Sequence, residues 1–242
     1  MLSLKAIELI YLASLLSALA FLFIAKALRH IAISGNSPLL VFGPVFTAII
    51  AVILLGENMT LVQAAGIILI VIGAYLLESH AHQNILEPFK HILRIKHTNH
   101  IFLGLFLYAL CSVINKKIIG APIDGGMGVP VFTFIALIHF FIGVNFVLMM
   151  LFFHDGFKGI ERGLKNNWKW LLLAGVLALG YRLAQHYAIS LPGVLVSLAI
   201  PIKRLSALFA TLLGGELFHE KHILRRSLAC TVMIIGAVLI LL

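Results

Sequence analysis

Along the chain, apolar residues come in long runs separated by short polar punctuation. A helix that crosses a bilayer needs about 20 mostly apolar residues at 1.5 Å rise each. Eight runs approach or exceed that length, at 4–28 (A), 38–55 (B), 61–78 (C), 101–119 (D), 130–153 (E), 168–190 (F), 193–218 (G) and 225–242 (H). The connections are brief: "GENMT" joins B to C, and "SLPG" joins F to G. The longest, "SHAHQNILEPFKHILRIKHTNH", is polar and has room for an interfacial helix around Leu86 to Ile95. The pattern predicts an all-α, polytopic membrane helix bundle of about eight transmembrane helices, with no extramembrane segment large enough to fold by itself.

Composition narrows the class in the same direction. Hydrophobic residues make up 62% of the chain and charged residues 11%, and the mean hydropathy is +1.10; soluble domains are roughly half apolar. A net charge of +9 would suggest nucleic acid in a soluble protein. Here the Lys and Arg gather in short loops between apolar runs, where they set orientation, so no nucleic-acid partner is expected. Twelve of them, among them Lys26, Lys90, Lys158, Lys165 and Arg225, flank the A–B, C–D, E–F and G–H connections, against Lys5, Lys116 and Lys117 on the other side. The positive-inside rule puts the first group in the cytoplasm and both termini outside. Run A is longer than a signal-peptide core and continues past the "ALA" at 18–20, so it reads as a span. Cys111 and Cys230 lie in separate apolar runs and indicate neither a disulfide framework nor a Cys metal site.

Two stretches repeat. "KALRHIAISGNSPLL" from Lys26 and "RLAQHYAISLPGVLV" from Arg182 share a basic residue, His30/His186, Ala32/Ala188, Ile33/Ile189 and Ser34/Ser190. After seven extra residues in the second copy, Glu57 meets Glu220, and "ILIVIGAYL" (68–76) meets "TVMIIGAVL" (231–239). Helices A to C therefore correspond to F to H. Five helices separate the two starts, and an odd number makes the repeat inverted, the arrangement in which two halves rock around a central site. The organisation expected is a first repeat over 1–78, a connecting loop over 79–100, and a second repeat of five helices over 101–242.

The segments "SPLLVFGPVFTAIIAVILLGENMTLVQAAGIILIVIGAYLLE" and "VSLAIPIKRLSALFATLLGGELFHEKHILRRSLACTVMIIGAVLIL" resemble the ends of the two halves of EamA-type transporters of the drug/metabolite transporter superfamily. Pro44, Gly56, Glu57, Gly66 and Gly73 match that pattern in the first copy, and Pro201, Glu220, Lys221 and Gly236 in the second. The resemblance implies a small-molecule transporter working by alternating access in a lipid bilayer. Such proteins usually have ten helices and keep both termini in the cytoplasm, so the resemblance also implies two helices ahead of A and disagrees with the charge count. The location it suggests is a bacterial inner membrane, with homodimerisation left open.

Polar residues inside spans are the candidate chemistry. Helix D carries Tyr108, Cys111, Ser112 and Asn115 on one stripe, helix F carries Tyr181, Arg182, Gln185 and His186, and helix E adds His139 and Asn145. Pro201 deprives the Ser197 carbonyl of its helical donor and favours a kink, as Pro44 does in helix B. Directly after it stand Lys203 and Arg204. A cation facing lipid at such depth costs about 2.5–3.5 kcal/mol, and no Asp or Glu lies at that level of the sequence. The expected substrate pathway is therefore Lys203, Arg204, Arg182, His186, Tyr108, Asn115, His139 and Asn145, taking a carboxylate or phosphate on one cation while the other meets a neighbouring helix or a carbonyl. The competing reading has both cations bonding backbone carbonyls and holding the kink. For Glu57 and Glu220 a capping role outweighs proton carriage, and Gly175, Ala178 and Gly180 are expected at close helix crossings. The loop histidines lack the carboxylate or Cys that would complete a metal site, so no metal or cofactor is expected. Without a nucleophile beside a base, or paired carboxylates in a span, an enzyme is not expected either. The alternative function is a truncated or inactive membrane protein with a scaffold role.

Overall fold

The computed structural model describes residues 2–30, 40–78, 98–153, 156–206 and 223–242. Eight α-helices and no strands occur among the described residues. They are α1 Leu4–His30, α2 Gly43–Leu55, α3 Leu61–Glu78, α4 Thr98–Ile119, α5 Val131–Phe153, α6 Gly156–Ser190, α7 Val196–Lys203 and α8 Ile223–Leu241, with one 3₁₀ turn at Pro122–Asp124. Three are long and apolar enough to cross a membrane, over Leu4–Ala27, Asn99–Ile119 and Val131–Phe152, and 43–55, 61–77 and 228–241 are shorter apolar helices. The all-α polytopic bundle expected from the pattern is the fold. The segment around Leu86 to Ile95, the loop residues His80, His82 and His97, the later part of run G, and Glu220 with Lys221 lie outside the described residues.

The helix ends follow local rules. Gly56 takes the left-handed conformation (φ 67°) that closes α2, a position glycine adopts without a Cβ penalty. Thr60 and Gln63 form a reciprocal capping box at the start of α3, with Gln63 N–H donating to Thr60 Oγ1 at 3.2 Å and Thr60 N–H to Gln63 Oε1 at 3.1 Å. Span F was expected from 168; α6 begins twelve residues earlier, and its backbone departs from helical geometry at Asn167 (φ −135°, ψ 18°).

The chain divides into two compact units, residues 1–18 with 114–194 and residues 19–113 with 195–242. In the second unit α2 packs on α7 and α3 on α8, so each pair joins a helix to its repeat counterpart. The α3–α8 core holds Ile67, Ile70, Val71, Ala74, Met233, Ala237 and Ile240. Its closeness is set by glycine. A Cβ on Gly66 would lie 2.6 Å from the Gly236 carbonyl oxygen, one on Gly236 2.7 Å from the Gly66 oxygen, and one on Gly73 2.8 Å from the Ala229 oxygen. As the position on α3 rises from 66 to 73, the position facing it falls from 236 to 229, so the helices run antiparallel. The repeat register, in which Glu57 matches Glu220 and Gly73 matches Gly236, pairs Gly66 with Ala229. The contacts 66–236 and 73–229 therefore exchange under the repeat, as an inverted repeat requires of equivalent helices.

In the first unit α5 packs on α6. The connection after α4 folds back over that helix's C-terminus: Gly120, Met127, Val129 and Gly128 N–H groups donate to the carbonyls of Lys116, Lys117, Ile118 and Gly120. The terminal carbonyls that every helix leaves open are thereby satisfied. Gly126 permits this return, because a Cβ there would lie 2.0 Å from the Gly120 oxygen. One expectation is corrected in this unit. Among the described residues, Gly175 and Gly180 mark no close helix crossing, since a Cβ on either meets none of them within 4 Å, and Ala178 lies in the same exposed stretch of α6.

Candidate functional site

In the second unit the chain breaks helical geometry beside Pro44 and Pro201. Leu40 is helical, Val41 and Phe42 form a turn, and α2 starts at Gly43 with Pro44 in its first turn, where a missing N–H costs least. Having no N–H, Pro44 cannot serve the carbonyl four residues back, that of Leu40. The Arg204 guanidinium donates to this carbonyl instead. Arg204 is in position because α7 carries Pro201 inside its last turn and ends at Lys203, after which the chain tightens: Arg204 N–H donates to Pro201 O and Leu205 N–H to Ile202 O, both at 2.9 Å. Arg204 is half-buried and Lys203 is exposed. One cation of the pair thus meets a backbone carbonyl left open by a proline in the partner helix.

The other end of α7 is held by a carboxylate. Leu195, its N-cap residue, is extended and its side chain offers no cap. Glu57, 8% exposed, accepts from Val196 N–H at 2.8 Å, Ser197 N–H at 2.9 Å and Ser197 Oγ–H at 2.5 Å. A negative group at a helix N-terminus satisfies open N–H groups and opposes the positive end of the helix dipole. The position of Glu57 beside a helix end is readable in the sequence; that it caps a helix 139 residues further on is not.

In the first unit α4 and α6 bring Asn115 and His186 together. His186 is 2% exposed; its Nδ1 lies 2.6 Å from the Arg182 carbonyl and its Nε2 3.4 Å from Asn115 Nδ2. Donation from Nδ1–H to the carbonyl leaves Nε2 to accept from the Asn115 amide, an assignment made from the network. The Phe134 ring sits 5.1 Å from the His186 ring. His139 makes the same local bond, Nδ1 to the Ile135 carbonyl at 2.8 Å, and Asn145 Nδ2 donates to Ser14 Oγ at 3.1 Å. Of the eight expected pathway residues, Asn115, Arg182, His186, His139 and Asn145 belong to this unit, and Lys203, Arg204 and Tyr108 to the other. Tyr108 is half-buried, and its carbonyl accepts from Ser112 Oγ at 2.9 Å.

Lys116, which by sequence position counts among the loop charges, is only 6% exposed. Its Nζ donates to the Ile189 carbonyl near the end of α6 at 3.0 Å and lies 3.9 Å from Asp124 Oδ2. Asp124 in turn accepts from Gly193 N–H at 2.8 Å. The connection after α4 is thereby tied to the one after α6. The only available signal was Lys116 coming one turn before the end of an apolar run. Lys116→Met is expected to lower stability by about 1–3 kcal/mol, since it strips a charged donor from a buried carbonyl. Asp124→Asn, which keeps an acceptor for Gly193, should cost less than about 1 kcal/mol. Thermal unfolding of the detergent-solubilised variants checks the order.

A cavity of about 410 Å³ in the first unit is bounded by Leu2, Ser3, Ala6, 127–130 and Thr133; none of the expected pathway residues lines it. Among the described residues, no group of three or more His, Cys, Asp or Glu gathers to hold a metal ion.

Residues 2–79 match the EamA-like transporter family. No curated protein matches the chain. Seventeen solved chains do; one, a crystal structure titled only as that of a protein, covers 100% of this chain and 79% of its own at a TM-score of 0.69 and 13% identity. That likeness is one of fold.

Proposed function

We propose that this chain, whose residues 2–79 match the EamA-like transporter family, carries an anionic small molecule across a membrane by alternating access. That match supports an integral membrane protein of a transporter class. The anionic substrate and the bacterial inner membrane as its location are our reading. The observation that carries it is the cation pair at the end of α7. Arg204 donates to the Leu40 carbonyl at the helix break, and the adjacent Lys203 is exposed at the end of α7, where its charge would meet a carboxylate or phosphate. About 100° of rotation separates adjacent helical residues, so the two cannot share one role. The antiparallel, repeat-related crossing of α3 and α8 supports a mechanism in which inverted halves exchange conformations. Within its own unit, the Asn115–His186 pair offers an amide and an imidazole as polar wall.

Uptake into proteoliposomes across a panel of carboxylate, phosphate, neutral and cationic metabolites tests this. Lys203→Gln is expected to cut uptake of the anionic substrate roughly 10- to 100-fold, as loss of a charge-assisted contact worth about 1.5–3 kcal/mol does. Arg204→Gln should lower both uptake and thermal stability. Should both variants insert, fold and move the anion as well as the parent, the counter-charge assignment is wrong; a parent that moves nothing in the panel removes the transport reading itself.

A further inference from the structure

The start of α6 is not needed to cross the membrane, and its sequence has a different character from the span that follows. Helical geometry fails at Asn167, so residues 156–166 form a helical segment with an axis of its own. Its pattern, "GFKGIERGLKNN" with Asn167, is amphipathic. In the sequence, apolar Phe157, Ile160 and Leu164 recur at i, i+3, i+7 and basic Lys158, Arg162 and Lys165 at i, i+4, i+7, two interleaved series with the spacing of an amphipathic helix. Directly after the break come Trp168 and Trp170, 56% and 72% exposed, with Lys169 Nζ 5.7 Å from the centre of the Trp168 ring. Tryptophans with a polar tip and an apolar body settle at the level of lipid headgroups. The following residues, Leu171, Leu172, Leu173, Val176 and Leu177, are exposed on all sides of the helix, as in a stretch that meets acyl chains.

We propose that residues 156–170 form a membrane-surface segment that binds anionic phospholipid headgroups, the break at Asn167 turning the chain from the plane of the membrane into the bilayer. Charge selects the partner. Between 156 and 170 four basic residues, Lys158, Arg162, Lys165 and Lys169, stand against one acidic residue, Glu161. Lys165 neutralises that carboxylate across one helical turn at 2.7 Å, and the surplus is positive. An apolar stripe alone would hold the segment on any bilayer; a basic face beside it favours a surface carrying phosphodiester charge, and the attraction is screened by salt. This inference is independent of which substrate the protein carries.

Trp168 and Trp170 are the two tryptophans of the chain, so intrinsic fluorescence reports on this segment without engineering. The full chain is reconstituted in vesicles of phosphatidylcholine containing a fixed share of phosphatidylglycerol. In one sample the phosphatidylglycerol carries bromine high on its acyl chains; in the other an equal mole fraction of the phosphatidylcholine does. Random mixing quenches both alike. Preferential binding makes the brominated anionic lipid quench roughly twofold more strongly at low salt. The excess is expected to disappear in molar salt, and in the Lys158→Gln, Arg162→Gln, Lys165→Gln triple variant. Equal quenching by the two lipids overturns the proposal, and so does an excess that outlasts either change. The salt arm uses the parent protein, so the test stands even if the variant fails to insert.

Discussion

Valine at Gly236 is expected to destabilise the protein more than any other single apolar substitution in α8. An added Cβ would lie 2.7 Å from the Gly66 carbonyl oxygen and 2.9 Å from Ile70 N. Both are backbone atoms of a packed helix, which no side-chain rotation can clear. The helices must separate, and the Ile67, Ile70, Met233 and Ile240 contacts along their seam weaken together. Overpacking of this kind costs about 1–3 kcal/mol and can exceed it where the obstacle is backbone. Gly66→Val should behave alike, because its Cβ would meet Gly236 O at 2.6 Å and the Ile240 backbone N at 3.0 Å. The controls come from the same residue type. Gly175→Ala and Gly180→Ala add a methyl that meets nothing within 4 Å among the described residues and should leave stability within about 1 kcal/mol of the parent. Unfolding temperatures in one detergent, measured by circular dichroism, decide the matter. A Gly236→Val variant as stable as the two controls would mean that α3 and α8 do not cross at this contact.

Loss of the Glu57 carboxylate is the second large effect. Three donors converge on it, two of them backbone N–H groups at the start of α7 and the third the Ser197 hydroxyl. Glu57→Ala leaves all three without their acceptor at a buried site. A buried donor stripped of its partner costs about 1–3 kcal/mol, more where the lost partner is charged, so a total near 3 kcal/mol is expected. Glu57→Gln keeps one acceptor oxygen but turns an amide donor toward donors, and should fall between Glu57→Ala and the parent. Ser197→Ala removes the hydroxyl bond alone and should cost about 1 kcal/mol. Amide hydrogen exchange gives a local readout: Val196 and Ser197 should exchange faster in Glu57→Ala, with α4 unaffected. Unchanged protection at the start of α7 would show that the carboxylate is not its cap. Because α7 carries Pro201, Lys203 and the link to Arg204, loosening its N-terminus should also reduce uptake in the proteoliposome assay.

Much of the architecture was legible in one dimension. Runs C and E, at 61–78 and 130–153, coincide with α3 and α5 to within a residue, because a chain that must satisfy every backbone group inside a bilayer has little choice but helix wherever the apolar run is long enough. The breaks beside Pro44 and Pro201 were legible for an equally local reason, the missing N–H. The repeat was legible as ordered punctuation, and its register pairs the two glycine contacts that hold α3 to α8.

Partners were not legible, since they depend on residues far apart in the chain. Arg204 meets a carbonyl 164 residues away, Glu57 a helix start 139 residues away, and Lys116 a carbonyl 73 residues away. Nothing local to these side chains names those groups; each was left open by its own helix end or proline and became available only when tertiary packing brought it near. The glycines divide on the same line. Gly66 and Gly236 look in sequence like Gly175 and Gly180, and only the crossing of two helices makes the first pair indispensable while the second meets no close neighbour among the described residues. The sequence by itself determined the helices, their breaks and their repeat, because apolar length, proline and glycine act within a turn or two. The tertiary structure decided which charge satisfies which backbone group, because desolvated polar groups are matched in space and not along the chain.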